Sequence, residues 1–216
     1  MYDLILFDLD GTLTDSKEGI INCVNYALCA CGLPERPEEE LLCFIGPPLI
    51  DSFMEFCGMD RRQASFAVEK YRERFRDVGI YENRVYPGIG ELLKTLKAHG
   101  KTVALATSKP HVFADRILEQ FALAQYFDFT TGAELDGTRN VKKDVIQTVL
   151  AQFPDAERPV MIGDRAHDVL GAKACGIPCI GVAYGYAEPQ ELERAGAGKI
   201  VQTVHELQEF LIKYSF

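Results

Sequence analysis

Short apolar runs recur along the chain, and each is closed by polar residues. Leu4-Ile5-Leu6-Phe7 ends in Asp8-Leu9-Asp10-Gly11-Thr12, and residues 102–107 run into Ser108-Lys109. Residues 159–163 run into Asp164, and a fourth run covers 178–182. Runs that are apolar on both faces and cut off by turn residues predict buried strands of a parallel sheet. Helical spacing fills the intervals. Ile89, Leu92, Leu93 and Leu96 share one helical face, and similar patterns cover 111–122, 141–152 and 167–175. Strands alternating with helices of this length predict right-handed crossovers and an α/β fold, a Rossmann-like doubly wound parallel sheet.

Residues 15–82 break the alternation. Segments 17–31, 37–57 and 61–78 carry helical patterns, and Phe66, Val68, Tyr71 and Phe75 suggest an apolar face on the last of them. The expected organisation is therefore an α/β core made of 1–14 and 83–216, with an all-helical cap domain, 15–82, inserted directly after the first strand. Gly46-Pro47-Pro48 provides a stiff loop between cap helices.

Charge and composition narrow the function classes. The chain of 216 residues has 23 basic and 32 acidic side chains, net −9, and its longest acidic block is Glu38-Glu39-Glu40. That balance speaks against a polymeric nucleic-acid partner, which attracts clustered Lys and Arg. A small phosphorylated metabolite is still compatible, because one pocket can be positive on a negative protein. The start, MYDLILFDLDG, lacks the basic flank of a signal peptide, and no apolar run is long enough for a membrane span. A cytoplasmic protein without a membrane partner, a monomer or weak homodimer, is the expectation. The seven cysteines show no CxxC spacing and are expected to be small buried hydrophobes in a reducing compartment.

Candidate chemistry sits at the strand ends. Asp8 and Asp10 flank Leu9, and strand alternation puts positions i and i+2 on one side. Two adjacent carboxylates repel by roughly 4 kcal/mol at about 4 Å and an effective dielectric of about 20, so a cation or a shared proton must offset them. A hard cation with oxygen ligands points to Mg²⁺, and a proton makes a general acid. Thr107, Ser108 and Lys109 offer two hydroxyls and an ammonium at a second strand end. Asp164 and Asp168 add carboxylates at a third, and Lys142 opens a helical pattern. Taken singly, Thr107 could close a hydroxyl turn, Lys142 could be a surface lysine and Asp164 a helix cap. Their joint occurrence at strand ends, where open α/β sheets bind ligands, favours a site.

In order, Asp8-Leu9-Asp10-Gly11-Thr12, Thr107, Lys142 and Gly163-Asp164-Arg165-Ala166-His167-Asp168 resemble the four motifs of the haloacid dehalogenase-like phosphohydrolases, over essentially the whole chain. Gly46-Pro47-Pro48-Leu49, Tyr86-Pro87-Gly88 and Tyr184-Gly185-Tyr186 are similar to a subgroup of phosphoglycolate phosphatases and 5'-nucleotidases with a helical cap. The resemblance implies a Mg²⁺-dependent phosphomonoesterase working through an aspartyl-phosphate. Asp8 would be the nucleophile and Asp10 the acid and base. Lys142 would pair with Asp8 and the phosphoryl group. Asp8, the Asp10 carbonyl and Asp164 would hold the metal, with Asp168 orienting that shell. Thr107 and the Ser108 amide would bind phosphoryl oxygens, with Lys109 and the cap residue Arg72 as further substrate contacts. A phosphomutase shares these motifs. A receiver-type signalling domain is a different class, disfavoured by the long insertion after the first strand. A dinucleotide enzyme lacks support because no GxGxxG follows that strand.

Overall fold

The central sheet forms where the sequence is apolar on both strand faces. The computed structural model describes residues 2–136, 138–139 and 141–213. In chain order the first elements are β1 (Leu4–Phe7), β2 (Thr14–Asp15), α1 (Lys17–Ala30), α2 (Glu38–Leu41), α3 (Leu49–Cys57), α4 (Arg61–Asp77) and β3 (Arg84–Val85). Then come α5 (Ile89–Ala98), β4 (Thr102–Pro110), α6 (His111–Gln120), β5 (Phe129–Ala133), α7 (Lys142–Gln152) and β6 (Pro159–Gly163). The last are α8 (Ala166–Ala174), β7 (Cys179–Val182), α9 (Glu191–Ala195), β8 (Lys199–Val201) and α10 (Val204–Lys213). The chain divides into two units, 1–14 with 85–216, and 15–84.

The first unit is a six-stranded sheet in the order β5-β4-β1-β6-β7-β8, parallel throughout its ladders. Counted along the chain, the order reverses beside β1, between β4 on one flank and β6 on the other. Such a reversal opens a crevice at the carboxyl ends of the strands. Strand alternation sorts the core. Leu4, Leu6, Ala104, Ala106, Met161 and Cys179 share one sheet face and pack with Val145, Ile146 and Val149 of α7, Val169 and Ala172 of α8, and Leu192 of α9. Burying each large aliphatic side chain contributes about 1.5–3 kcal/mol, which is what holds α7 and α8 against the strand ends.

Four strands escape the sequence reading, the short β2 and β3 and two of this sheet. The strands β5 and β8 are the sheet edges, half-covered, so they need no continuous apolar run. The strand expected to stop at Thr107 continues to Pro110. Its register against β5 jumps from Thr107↔Gly132 to Pro110↔Ala133, which makes a bulge at Ser108-Lys109.

The second unit is helical. Asp60 caps α4 reciprocally, accepting from the Gln63 amide at 2.8 Å while its own amide donates to Gln63 Oε1 at 3.0 Å. The buried stripe of α4 is Ala64, Ala67, Val68, Tyr71 and Phe75, at helical spacing. Phe66, expected on that stripe, falls off it by its position and is exposed, lining a cleft with Leu33 and Met59. The helical segment 37–57 is split. Gly46 at φ 108 and the two prolines, which supply no amide donor, separate a short turn of helix from α3. The short strands β2 and β3, which span the two crossings between units, form a two-stranded ribbon. The cysteine expectation also needs correction. All seven are free, but only Cys23 and Cys179 are buried, because the others sit near helix ends and loops.

Candidate active site

At the reversal of strand order, β1 and β6 run side by side, with Phe7 in register with Ile162. The ladder carries one bond further, the Asp8 amide donating to Ile162 O at 2.9 Å. Asp8 and Asp164 therefore leave adjacent strands at the same level. Gly11 turns the chain away in the left-handed region, φ 81, and its lack of a side chain is needed twice over. A Cβ there would lie 2.1 Å from Asp164 Oδ2. A Cβ on Gly163 would similarly fall 2.2 Å from the Asp168 carboxyl carbon. The motif glycines thus let three carboxylates converge.

Asp8, Asp164 and Asp168 are buried, and one carboxylate oxygen from each lies within 4.8 Å of the others. Lys142, also buried, is the counter-charge. It reaches this point because α7 packs on α8 and β4, the stem of Lys142 lying against Gly171 of α8. Its ammonium donates to Asp8 Oδ1 at 2.7 Å and to the Ala106 carbonyl at 3.1 Å, and it stands 2.7 Å from Asp168 Oδ1. Asp168 has a second duty: its Oδ2 accepts the Arg165 amide at 3.1 Å and so caps α8. Asp164 is not a helix cap. Its Oδ2 accepts the Tyr186 amide at 2.7 Å, and its buried Oδ1 has no hydrogen-bond partner among the described residues.

One ammonium among three buried carboxylates leaves the site electronegative. Burial pushes the Asp8 carboxyl up to about 6; Asp168 and Asp10 add to the rise, and Lys142 opposes it. Burial, then Asp168 and Asp8, raise Asp164 well above the ordinary carboxylate range. Burial alone would lower Lys142, but the Asp168 and Asp8 carboxylates outweigh it and the ammonium is held protonated more firmly than usual. An orphaned, buried carboxylate oxygen within a set of hard oxygen donors is what a small divalent cation requires. The residues fit Mg²⁺.

Asp10 is held apart from that triad. Both its oxygens accept from Lys109 Nζ, at 3.0 and 2.8 Å, in an ion pair whose side chains are 12% and 5% exposed. Lys109 therefore meets an acid of the site, where the sequence suggested substrate or a loop position. Thr107 is buried at the end of the regular β4 ladder, and its Oγ1 accepts the Lys109 amide at 3.2 Å, the hydroxyl turn that the sequence left open. Ser108 is half-buried in the bulge. Arg72 is on α4 of the helical unit and is half-buried. The sequence singles out Tyr184 and Tyr186 only through the Tyr184-Gly185-Tyr186 similarity. The hydroxyl of Tyr184 donates to Thr12 O at 3.0 Å and its ring packs edge-on to Tyr86, tying the loop after β7 to the turn after β1. A glycine flanked by aromatics after the last central strand was the available signal.

The described residues include no helix long and apolar enough to cross a membrane. The family model for haloacid dehalogenase-like hydrolases matches residues 5–182. A 5'-nucleotidase of Pseudomonas aeruginosa is 50% identical over 192 residues, covering 88% of this chain and 87% of that one. A protein from Mycobacterium tuberculosis named tyrosine-protein kinase PtkA is 40% identical over 212 residues, covering 96% of this chain and 72% of its own. Among solved structures, a predicted phosphatase from Clostridium acetobutylicum superposes with a TM-score of 0.94 at 44% identity, covering 99% of each chain.

Proposed function

Because the chain belongs to the haloacid dehalogenase-like hydrolases and is a phosphoric monoester hydrolase of that family, we propose that it cleaves a small soluble phosphate ester through a phosphoenzyme on Asp8. The observation that carries this reading is the placement of Asp8. It stands at the strand-order reversal, oriented by Lys142 through one oxygen, beside a carboxylate with an unpartnered buried oxygen.

In the first half, a carboxylate oxygen of Asp8 bonds to phosphorus as the bond to the ester oxygen breaks, and the proton of Asp10 passes to that oxygen to release the alcohol. In the second half, Asp10 takes a proton from water. The water oxygen bonds to phosphorus, the Asp8–phosphorus bond breaks, and inorganic phosphate leaves. Thr107 and the Ser108 amide face the phosphoryl oxygens in this scheme, and Lys142 offsets charge on both Asp8 and the transferring group. Asp8, Asp164 and Asp168, with the main-chain carbonyl of Asp10, are the residues that would hold Mg²⁺. When bound, the ion supplies the positive charge that lets an anionic nucleophile approach an anionic ester.

Nucleoside monophosphates head the substrate list, supported by the half-identical 5'-nucleotidase, with phosphoglycolate next. The helical unit sets the choice among them, and Arg72 is its candidate contact to substrate. A panel of a nucleoside monophosphate, phosphoglycolate and a sugar phosphate, read as kcat/KM with Mg²⁺ and with chelator, tests the whole reading. Phosphate release should need the metal, and Asp8→Asn should lower it by several orders of magnitude. Near-native turnover by Asp8→Asn would sink the mechanism. Arg72→Ala should change the ranking of esters; a uniform drop would remove Arg72 from specificity. The PtkA relative supports a second reading, in which a tyrosine hydroxyl accepts the phosphoryl group. Transfer of labelled phosphate from ATP to a tyrosine peptide, lost in Asp8→Asn, would favour it over hydrolysis.

A further inference from the structure

The two acids of the Asp8-Leu9-Asp10 motif are served by different lysines. Lys142 takes Asp8 and Asp168, and Lys109 takes Asp10. We propose that Lys109 is a positioning residue that fixes the carboxyl of Asp10 for proton transfer to the leaving oxygen, and that it does not serve as a substrate-binding lysine. The inference rests on the phosphatase reading above, and its subject is the acid half of that chemistry.

Backbone geometry aims Lys109. In a regular strand it would simply follow Thr107 on the same face, but the bulge in β4 inserts Ser108 and Lys109 against a single step of β5. Bulges beside active sites re-aim side chains in this way. Two contacts hold the bulge. The Thr107 hydroxyl accepts the Lys109 amide at 3.2 Å, and Gly132 of β5 lets the Lys109 carbonyl come so close that a Cβ there would lie 2.4 Å from it. Thus the main chain on either side of the Lys109 side chain is pinned before any ligand arrives.

The side chain is correspondingly committed. Its ammonium is buried and bridges both oxygens of Asp10, so the carboxyl plane is set by two bonds. An ammonium turning to a bound phosphoryl group would leave the largely buried Asp10 carboxylate without this cation, a costly exchange in a buried site. In its donor form Asp10 carries the proton on one oxygen, so one of the two ammonium bonds gives way while the other keeps the carboxyl within hydrogen-bond reach of the leaving oxygen.

The test uses the dependence on the leaving group. For 4-nitrophenyl phosphate the departing phenolate needs little protonation, whereas an alkyl phosphate needs a full proton, and kcat/KM reports only steps through the first phosphoryl transfer. Lys109→Met should lower kcat/KM for the alkyl ester by about 10²-fold, within the range general acids contribute, and for the nitrophenyl ester by only a few-fold. On an Asp10→Asn background, Lys109→Met should have no further effect on the alkyl ester, since both changes remove one unit. Lys109→Gln, which keeps a donor in the same space, should show the same bias more weakly and serves if the methionine variant does not fold. Equal losses on both esters, losses that multiply with Asp10→Asn, or no loss on either ester would overturn the proposal. Trapping of phosphoenzyme in acid-quenched wild type and its absence in Asp8→Asn keeps the two questions separate. If that control fails, the phosphatase mechanism falls; if it holds and the bias is missing, only the role of Lys109 falls.

Discussion

Replacing Asp164 by Asn should make the metal-free protein more stable while destroying its response to Mg²⁺. The carboxylate is fully buried, one oxygen accepts only the Tyr186 amide and the other is unpartnered among the described residues. Oxygens of Asp8 and Asp168 lie within 4.8 Å of it. At about 4.8 Å and an effective dielectric of about 20, each like-charge pair costs roughly 3.5 kcal/mol. The Tyr186 amide and the Arg165 guanidinium offset part of this, so ionised Asp164 carries a net penalty of about 2–4 kcal/mol. Asn keeps the acceptor for Tyr186 and turns an amide donor toward the two remaining carboxylates. Thermal unfolding at pH 8 in excess chelator should show the variant melting about 5–15 °C above wild type for a chain of this size. The sign with pH is definite. The folded pKa of Asp164 is raised, so the penalty is absent below the unfolded value of about 3.9 and grows as pH rises toward the folded value. The gap should therefore open with rising pH. Mg²⁺ at about 100-fold its Kd should stabilise wild type by about 2.7 kcal/mol and leave the variant unmoved. A variant that folds with an unchanged circular dichroism spectrum, yet melts at or below wild type in chelator, would refute the electrostatic account of the cluster.

Three further substitutions probe other links. Gly11→Ala should cost about 2–4 kcal/mol and nearly all activity, since the new Cβ meets Asp164 Oδ2 at 2.1 Å. Gly32→Ala, also at positive φ but facing open space, should cost only about 1–2 kcal/mol in a melt and spare turnover; equal costs would deny the close approach at Gly11. In the helical unit, Glu82 accepts from Arg74 at 2.7 and 2.9 Å and from Asn22 at 3.2 Å, and the Arg74 bonds hold its pKa below the ordinary value despite burial. That stability is present above the unfolded value of about 4.3 and lost as pH falls through the folded one, so Glu82→Gln should cost about 1–3 kcal/mol at pH 7 and progressively less in acid. A pH-independent difference in urea midpoints would contradict the charge argument.

The sequence by itself determined the central strands and the residues at their ends. Strands buried on both faces must be continuously apolar, so Leu4–Phe7, 102–107 and 159–163 were legible. The polar residues that close them, Asp8, Thr107 and Asp164, mark the carboxyl edge of the sheet. Edge strands β5 and β8 were not legible, because half-exposed backbone imposes no such pattern. Helical period foresaw α4, but only packing decided that Phe66 lies outside its buried stripe and that most cysteines are not core. Tertiary structure alone decided which lysine serves which acid. Asp8 and Lys142 are 134 positions apart and Asp10 and Lys109 are 99 apart, and no local period relates them. The pairing follows from the seating of α7 on α8 and from a bulge whose register depends on Gly132 of a neighbouring strand, and both arise only when the sheet has closed.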